Sequence, residues 1–219
     1  MSLLIAMPCY GGLVSDKTAK GLFLLGKELR THRIDHGLLM MSNESSITLG
    51  RSKIANFFIN NTDFDRILFI DADVGFVADD VLKLLQSNKD IVCGAYPMKT
   101  IPLRYNYELK HPQVREGNLV QINRIGFGFA LIHRKVFADI IGRYGEELKY
   151  YPIGDTTIGH EVTEREYHNS YHFFHELKSD MSYYSEDFSF FERARSVGYD
   201  VWLDTSITLP HVGSHVFGE

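Results

Sequence analysis

The chain has 219 residues, 44% of them hydrophobic and 23% charged, with a net charge of −5. That length and balance suit one sizeable core and exclude a mainly disordered chain. The acidic excess lacks the basic footprint of a nucleic-acid binder.

No apolar run approaches the ~20 residues of a membrane span. The apolar start, Met1 to Pro8, is short and lacks the basic leader of a secretory signal. Cys9 and Cys93 lie far apart and match no metal or disulfide spacing. They read as free thiols of a reducing compartment, so a cytoplasmic protein is expected. Aromatics make up 13% of the chain, with 12 Tyr and 15 Phe but one Trp, and ten His accompany them.

Hydrophobic periodicity divides the first half into strands and helices. Leu3 to Cys9 is an apolar strand that breaks at Pro8-Cys9-Tyr10-Gly11-Gly12. Ser15 to Leu29 has helical spacing, with Ser15 and Asp16 as caps. Gly37 to Met41 is a second strand, and Gly50 to Asn60 a helix with Ile54, Phe57 and Phe58 inward. Arg66 to Ile70 is a third strand, apolar throughout and so buried on both faces. Asp79 to Leu85 is a helix and Ile91 to Ala95 a fourth strand. This alternation predicts an α/β fold with a mostly parallel central sheet flanked by helices.

The second half is less regular. Leu119 to Arg134 reads as extended, punctuated by Gly126 and Gly128, and Lys135 to Tyr144 as a helix. Glu146 to Asp180 has little periodicity and many Tyr and His. Glu186 to Val197 is a helix with Ser185 as its cap, and Val201 to Leu203 a strand. No repeat or linker interrupts the chain. One domain over 1–219 is expected, divided into a nucleotide-sugar-binding half (about 1–118) and an irregular acceptor-side half (about 119–219).

The most informative segment is Ile67-Leu68-Phe69-Ile70-Asp71-Ala72-Asp73. The carboxyl ends of strands in a parallel sheet form the ligand crevice. Two acids side by side repel unless a cation or proton intervenes, and divalent cations commonly link carboxylates to substrate phosphates. A metal–phosphate site is the functional reading; a turn or helix cap is the bland one.

Asp71-Ala72-Asp73 after the third strand resembles the Asp-x-Asp motif of GT-A-fold glycosyltransferases. Other segments fit the same resemblance in chain order. Pro8-Cys9-Tyr10 is similar to the nucleotide-binding loop, and Gly50-Arg51-Ser52 to an Arg-containing helix start. Gly126-Phe127-Gly128-Phe129 resembles the glycine segment lining the donor-sugar pocket. Ser185-Glu186-Asp187 resembles the acidic segment near the acceptor, and His211-Val212-Gly213 the late histidine of the metal site. The compact size also resembles the small glycosyltransferase domains of large DNA viruses, chlorella viruses among them, for which a host-cytoplasmic setting follows.

The resemblance implies transfer of a sugar from a nucleotide-diphospho-sugar, with uridine diphosphate the expected nucleotide, to a glycan or other hydroxyl acceptor. It implies that Pro8, Cys9, Tyr10, Arg51, Asp71, Ala72, Asp73, Gly126 and Gly128 bind the donor. Asp73 and His211 would bind the metal, with Asp71 on the ribose or a metal-bound water. An imidazole ligand favours Mn²⁺ over Mg²⁺. His215 is a weaker substitute for His211. Asp187, with Glu186 beside it, is the expected general base, although acids are also favoured in a first helical turn by the helix dipole. Tyr10 either stacks on the base or packs in the core. Arg51 either meets the nucleotide or lies on the surface. The Tyr/His-rich stretch is either an acceptor wall or irregular core.

Phe69-Ile70-Asp71-Ala72-Asp73-Val74 also resembles the opening strand of haloacid-dehalogenase-type phosphatases, with Asp71 as nucleophile. That motif normally lies near the N-terminus, and Gly154-Asp155 is followed by no second Asp at the needed place. A non-catalytic nucleotide-sugar-binding module is a third reading. A nucleotidyltransferase is a fourth, against which Tyr10-Gly11-Gly12 is short for a phosphate loop. A chain stopping soon after His215 is also compatible with a longer, multidomain polypeptide.

Overall fold

The computed structural model describes residues 1–152, 161–179 and 181–218. The Gly154-Asp155 pair weighed for the phosphatase reading lies outside them. The first half follows the predicted alternation: β1 (Ser2–Cys9), α1 (Asp16–Thr31), β2 (Asp35–Ser42), α2 (Ile47–Asn61), β3 (Arg66–Ile70), α3 (Ala78–Gln86) and β4 (Ile91–Ala95). Then come β5 (Tyr107–Leu109), β6 (Arg115–Glu116), β7 (Leu119–Ile125), β8 (Phe129–His133) and α4 (Arg134–Leu148). Short pieces follow: β9 (Lys149–Tyr150), α5 (Glu164–His168), β10 (Ser170–Tyr171), β11 (Lys178–Ser179) and β12 (Ser182–Tyr183). The chain closes with α6 (Glu186–Ser196), β13 (Val201–Thr208) and a hairpin of β14 (His211–Val212) and β15 (Val216–Phe217).

The central sheet has nine strands in the order β2-β1-β3-β8-β4-β13-β7-β5, with β6 also on β7. It is mostly parallel in direction; only β7 and β8 run against the rest. The extended run 119–134 is therefore two strands in separate parts of the sheet. β7 pairs with β13, whereas β8 inserts between β3 and β4. The three residues Gly126–Gly128 make that crossing.

Strand periodicity sends alternate residues of β3 to opposite faces. Ile67 and Phe69 join the core under α2, α4 and α6, while Leu68 and Ile70 join the core under α1 and α3. Most of the phenylalanine lies in the first core. Phe127 is its hub, with ring centroids 5.0 Å from Phe69, 4.7 Å from Phe174 and 5.0 Å from Phe190. Edge-to-face rings at such spacings add to simple burial.

Helix ends explain one departure from the sequence reading. Ser15 caps α1 as expected, accepting the Thr18 N–H. α2 begins earlier than Gly50, because the Ser46 hydroxyl accepts the Leu49 N–H and caps the helix there. Arg51 consequently stands in the second turn and is buried. At the other end, the Arg134 guanidinium donates to the carbonyls of Phe58, Thr62 and Phe64 and covers the carbonyl terminus of α2.

The described residues 164–171 of the Tyr/His-rich segment pack on α2. Asn56 donates to the Tyr171 carbonyl and accepts the Tyr171 N–H, at 3.0 and 2.9 Å. Among the described residues, no helix is long and apolar enough to cross a membrane.

Candidate active site

The carboxyl ends of β3 and β4, the Gly126–Gly128 crossing, the start of α6 and the β14 hairpin meet at one cleft of about 450 Å³. Asp71, Asp73, Tyr96, Lys99, Gly126, Asp187 and His211 line it. Sequence reasoning named five of these and missed Tyr96 and Lys99. Both follow β4, so the strand-end rule that singled out Asp71 also applied to them.

Asp71 continues the odd-numbered face of β3 and points toward α2 and α6. There Arg51 donates to both of its carboxylate oxygens, at 2.9 and 3.2 Å, and to Glu186 at 2.8 Å. The guanidinium also lies 5.5 Å from the Phe127 ring centroid. Arg51 is thus a buried cross-link between the acidic loop and α6, not an open contact for a nucleotide. Burial works against its charge, but Asp71, Tyr96 and Glu186 outweigh that and raise its pKa. Burial raises the Glu186 carboxyl, and Arg51 only partly offsets this. Glu186 serves the cross-link, and Asp187 is the acid that faces the cleft.

The glycines of 126–128 leave space that another residue would fill. A Cβ on Gly128 would sit 2.6 Å from Asp71 Oδ2 and 2.7 Å from the Tyr96 hydroxyl. One on Gly126 would meet the same hydroxyl at 2.6 Å. Instead the Gly128 N–H donates to the Tyr96 oxygen at 2.9 Å, and its carbonyl accepts the Asp71 N–H at 3.0 Å. Burial and the neighbouring Asp71 raise the Tyr96 pKa, so the phenol keeps its proton.

Asp187 is buried in the first turn of α6. Its Oδ1 accepts the Phe188 N–H at 2.8 Å and the Ser185 hydroxyl. Ser185 occupies the cap position but spends its hydroxyl on Asp187 and not on the helix backbone. The other oxygen, Oδ2, lies 3.8 Å from the Cβ position of Gly126 and is left to the cleft.

Asp73 sits under the C-terminal hairpin. The Val212 N–H donates to its carbonyl at 2.8 Å, and Val74 bridges to His211. His211 Nδ1 lies 2.8 Å from the Pro97 carbonyl, which as an acceptor places the ring proton on Nδ1. Nε2 faces Asp73 Oδ1, 3.3 Å away, and pairs with the carboxylate when it also carries a proton. Lys99 Nζ holds the second oxygen, Oδ2, at 2.5 Å. Burial works to raise the Asp73 pKa, but His211 and Lys99 outweigh it and bring it to about 2.

A carbonyl-oriented imidazole beside an ionised carboxylate is a donor pair that fits a divalent ion. Among the described residues no three or more His, Cys, Asp or Glu form a metal-binding group. The pair Asp73 and His211 therefore leaves most coordination positions to water or phosphate oxygens, and Asp71 is turned to Arg51. His215 is exposed, its ring 6.1 Å from Phe217, and does not line the cleft.

Pro8, Cys9 and Tyr10 stand apart from this cleft. They line a separate hollow of about 90 Å³ with Glu44, Ile47 and Gly50. Tyr10 is 75% exposed, which rules out the core-packing alternative. Ala72 is half-buried, and its carbonyl accepts the Ser15 N–H at 2.8 Å. Among the described residues the Tyr/His stretch does not line the cleft, and Met98, Asn106, Tyr107 and Ile125 add to its wall.

No protein-family model and no curated protein matches the sequence. Solved structures do resemble the fold. The A197 protein from STIV is 19% identical, with a TM-score of 0.53 over 97% of this chain and 86% of that one. The catalytic domain of Drosophila β1,4-galactosyltransferase 7, crystallised with xylobiose, is 16% identical, with a TM-score of 0.50 over 97% and 71%. A UDP-glucose pyrophosphorylase complexed with UDP-glucose is 7% identical, with a TM-score of 0.50 over 96% and 93%. At these identities the likeness establishes the architecture alone: a GT-A and nucleotidyltransferase type of α/β fold.

Proposed function

We propose that the protein is a metal-dependent glycosyltransferase that takes a sugar from a nucleotide-diphospho-sugar, with a uridine nucleotide as the expected donor, and passes it to a hydroxyl acceptor. One observation carries the reading: Asp73 with an oriented His211, and Asp187 with a free oxygen, face a single cleft at the strand ends. A bound Mn²⁺ or Mg²⁺ would supply charge neutralisation of the departing diphosphate.

The chain's own residues do the rest. Asp73 and His211 would hold the ion, and Asp71 is locked in place by Arg51. The Tyr96 phenol fixes the glycine crossing, so the sugar meets backbone there. Asp187 Oδ2 accepts the proton of the acceptor hydroxyl as it attacks, while Ser185 and the Phe188 N–H hold Oδ1 and fix the carboxylate's orientation. In this reading the base reaches beyond the cleft to the separate hollow at the end of β1, against Pro8, Cys9 and Tyr10. The phosphatase alternative needs a free Asp71 nucleophile, and both Asp71 oxygens are held by Arg51. For a nucleotidyltransferase, only the single short turn Tyr10–Gly12 follows β1.

The test is the Asp73→Ala variant in calorimetry and in a UDP-sugar turnover assay. Mn²⁺-dependent UDP binding should vanish in the variant and transfer or donor hydrolysis with it. Unchanged binding and turnover would overturn the assignment.

A further inference from the structure

We propose that Lys99 is a tethered cation seated where a divalent ion would bind Asp73, so that metal binding and displacement of Lys99 are one event. The inference rests on the metal-dependent reading above and assigns a role to a residue that this reading does not use.

Three observations place Lys99 there. Its Nζ lies 2.5 Å from Asp73 Oδ2, while His211 faces Oδ1, so both carboxylate oxygens are engaged. The strap that carries Lys99 also orients the imidazole, through the Pro97 carbonyl. The β14–β15 hairpin makes room for the lysine stem: a Cβ on Gly213 would sit 3.0 Å from Lys99 Cδ. Lys99 is thus held by the same hairpin that supplies His211.

The consequence is electrostatic. An ammonium and a divalent ion cannot share one carboxylate without mutual repulsion. Metal alone must evict Lys99 and so binds weakly. A nucleoside diphosphate gives the evicted ammonium a new partner, because lysine binds phosphate as a point charge. Metal and nucleotide then bind cooperatively, and each raises the other's affinity by the same factor.

The experiment compares wild type with Lys99→Met by calorimetry, titrating MnCl₂ alone, UDP alone, and MnCl₂ in the presence of UDP. Lys99→Met should tighten MnCl₂ binding roughly fivefold, the upper range for a half-exposed ion pair, and should diminish the help that UDP gives to the metal. A second arm uses the unaltered protein. Reductive methylation of Lys99, followed by mass spectrometry, should be slow without metal, faster with MnCl₂, and slow again with MnCl₂ and UDP. A purely structural lysine would show no such dependence. If wild type binds MnCl₂ and Lys99→Met binds it within twofold as well, or if MnCl₂ leaves methylation unchanged, the inference is wrong and the functional reading stands. If neither protein binds MnCl₂ with or without UDP, the metal-dependent reading itself falls, and the inference with it.

Discussion

Replacing Arg51 by methionine tests the core of the site. The substitution keeps a long side chain over Phe127 but removes the charge between Asp71 and Glu186. Removing one partner of a buried ion pair typically costs ~3–5 kcal/mol, because the other charge is left uncompensated. Here two carboxylates are left, but each side chain is about one-fifth exposed, at 23% and 19%. Water reaches them, so the lower end, about 3 kcal/mol, is expected. In a chain of this size that corresponds to a fall in Tm of roughly 6–12 °C. Urea unfolding can follow it through the lone, buried Trp202, and the midpoint should fall with little change in slope.

The pH dependence is a sharper check. Burial already raises the Glu186 pKa, and Arg51 counteracts it. Without Arg51 the shift grows. A carboxyl raised in the folded state contributes stability below its unfolded pKa of ~4.3 and loses that contribution as pH rises through the folded value. The deficit of Arg51→Met should therefore be smallest near pH 4–5 and largest at pH 7. Arg51→Met combined with Glu186→Gln should recover part of the loss. A deficit under about 1 kcal/mol at pH 7 would refute the cross-link, because a buried pair cannot be removed that cheaply. So would a deficit that fails to shrink in acid.

Other substitutions separate chemistry from structure. Asp187→Asn retains an acceptor for the Phe188 N–H, so the melting temperature should hold while turnover falls roughly 10²–10⁴-fold, as expected for loss of a general base. Gly128→Ala forces a methyl against Asp71 Oδ2 and the Tyr96 hydroxyl. It should lower stability by about 1–3 kcal/mol in urea unfolding and weaken UDP binding in calorimetry. Arg134→Ala uncovers the end carbonyls of α2 and should cost about 2–3 kcal/mol. UDP affinity of the folded fraction should not change, since Arg134 lies away from the cleft.

Much of this was legible from the sequence because β-strands and amphipathic helices announce themselves by period. β3 and β4 fall where apolar runs place them, and Asp71 and Asp73 lie at a strand end as that pattern requires. The role of Arg51 was not legible. Apolar spacing puts the helix start at Gly50, whereas Ser46 supplies the capping oxygen and moves Arg51 to an inward-facing turn. Nor does periodicity report strand order: Leu119 to Arg134 reads as one extended run, yet its halves belong to different parts of the sheet. Tyr96 and Lys99 follow β4 without any motif, so the strand-end rule could place them near the crevice but not pair them with Gly128 and Asp73. The Tyr/His-rich stretch has no period at all, and its packing on α2 depends on Asn56, a residue that carries no signal in one dimension.

The ring of Phe127 stands between two glycines whose backbone forms the cleft wall, and it sits at the hub of the larger core. The wall is therefore pinned through that ring. Its rigidity is borrowed from rings far from any ligand, so a softened core would blur the site before the molecule came apart. Heating should then extinguish ligand binding and the near-ultraviolet aromatic signal together. For such a protein, improving the interior and sharpening the cleft are a single engineering problem.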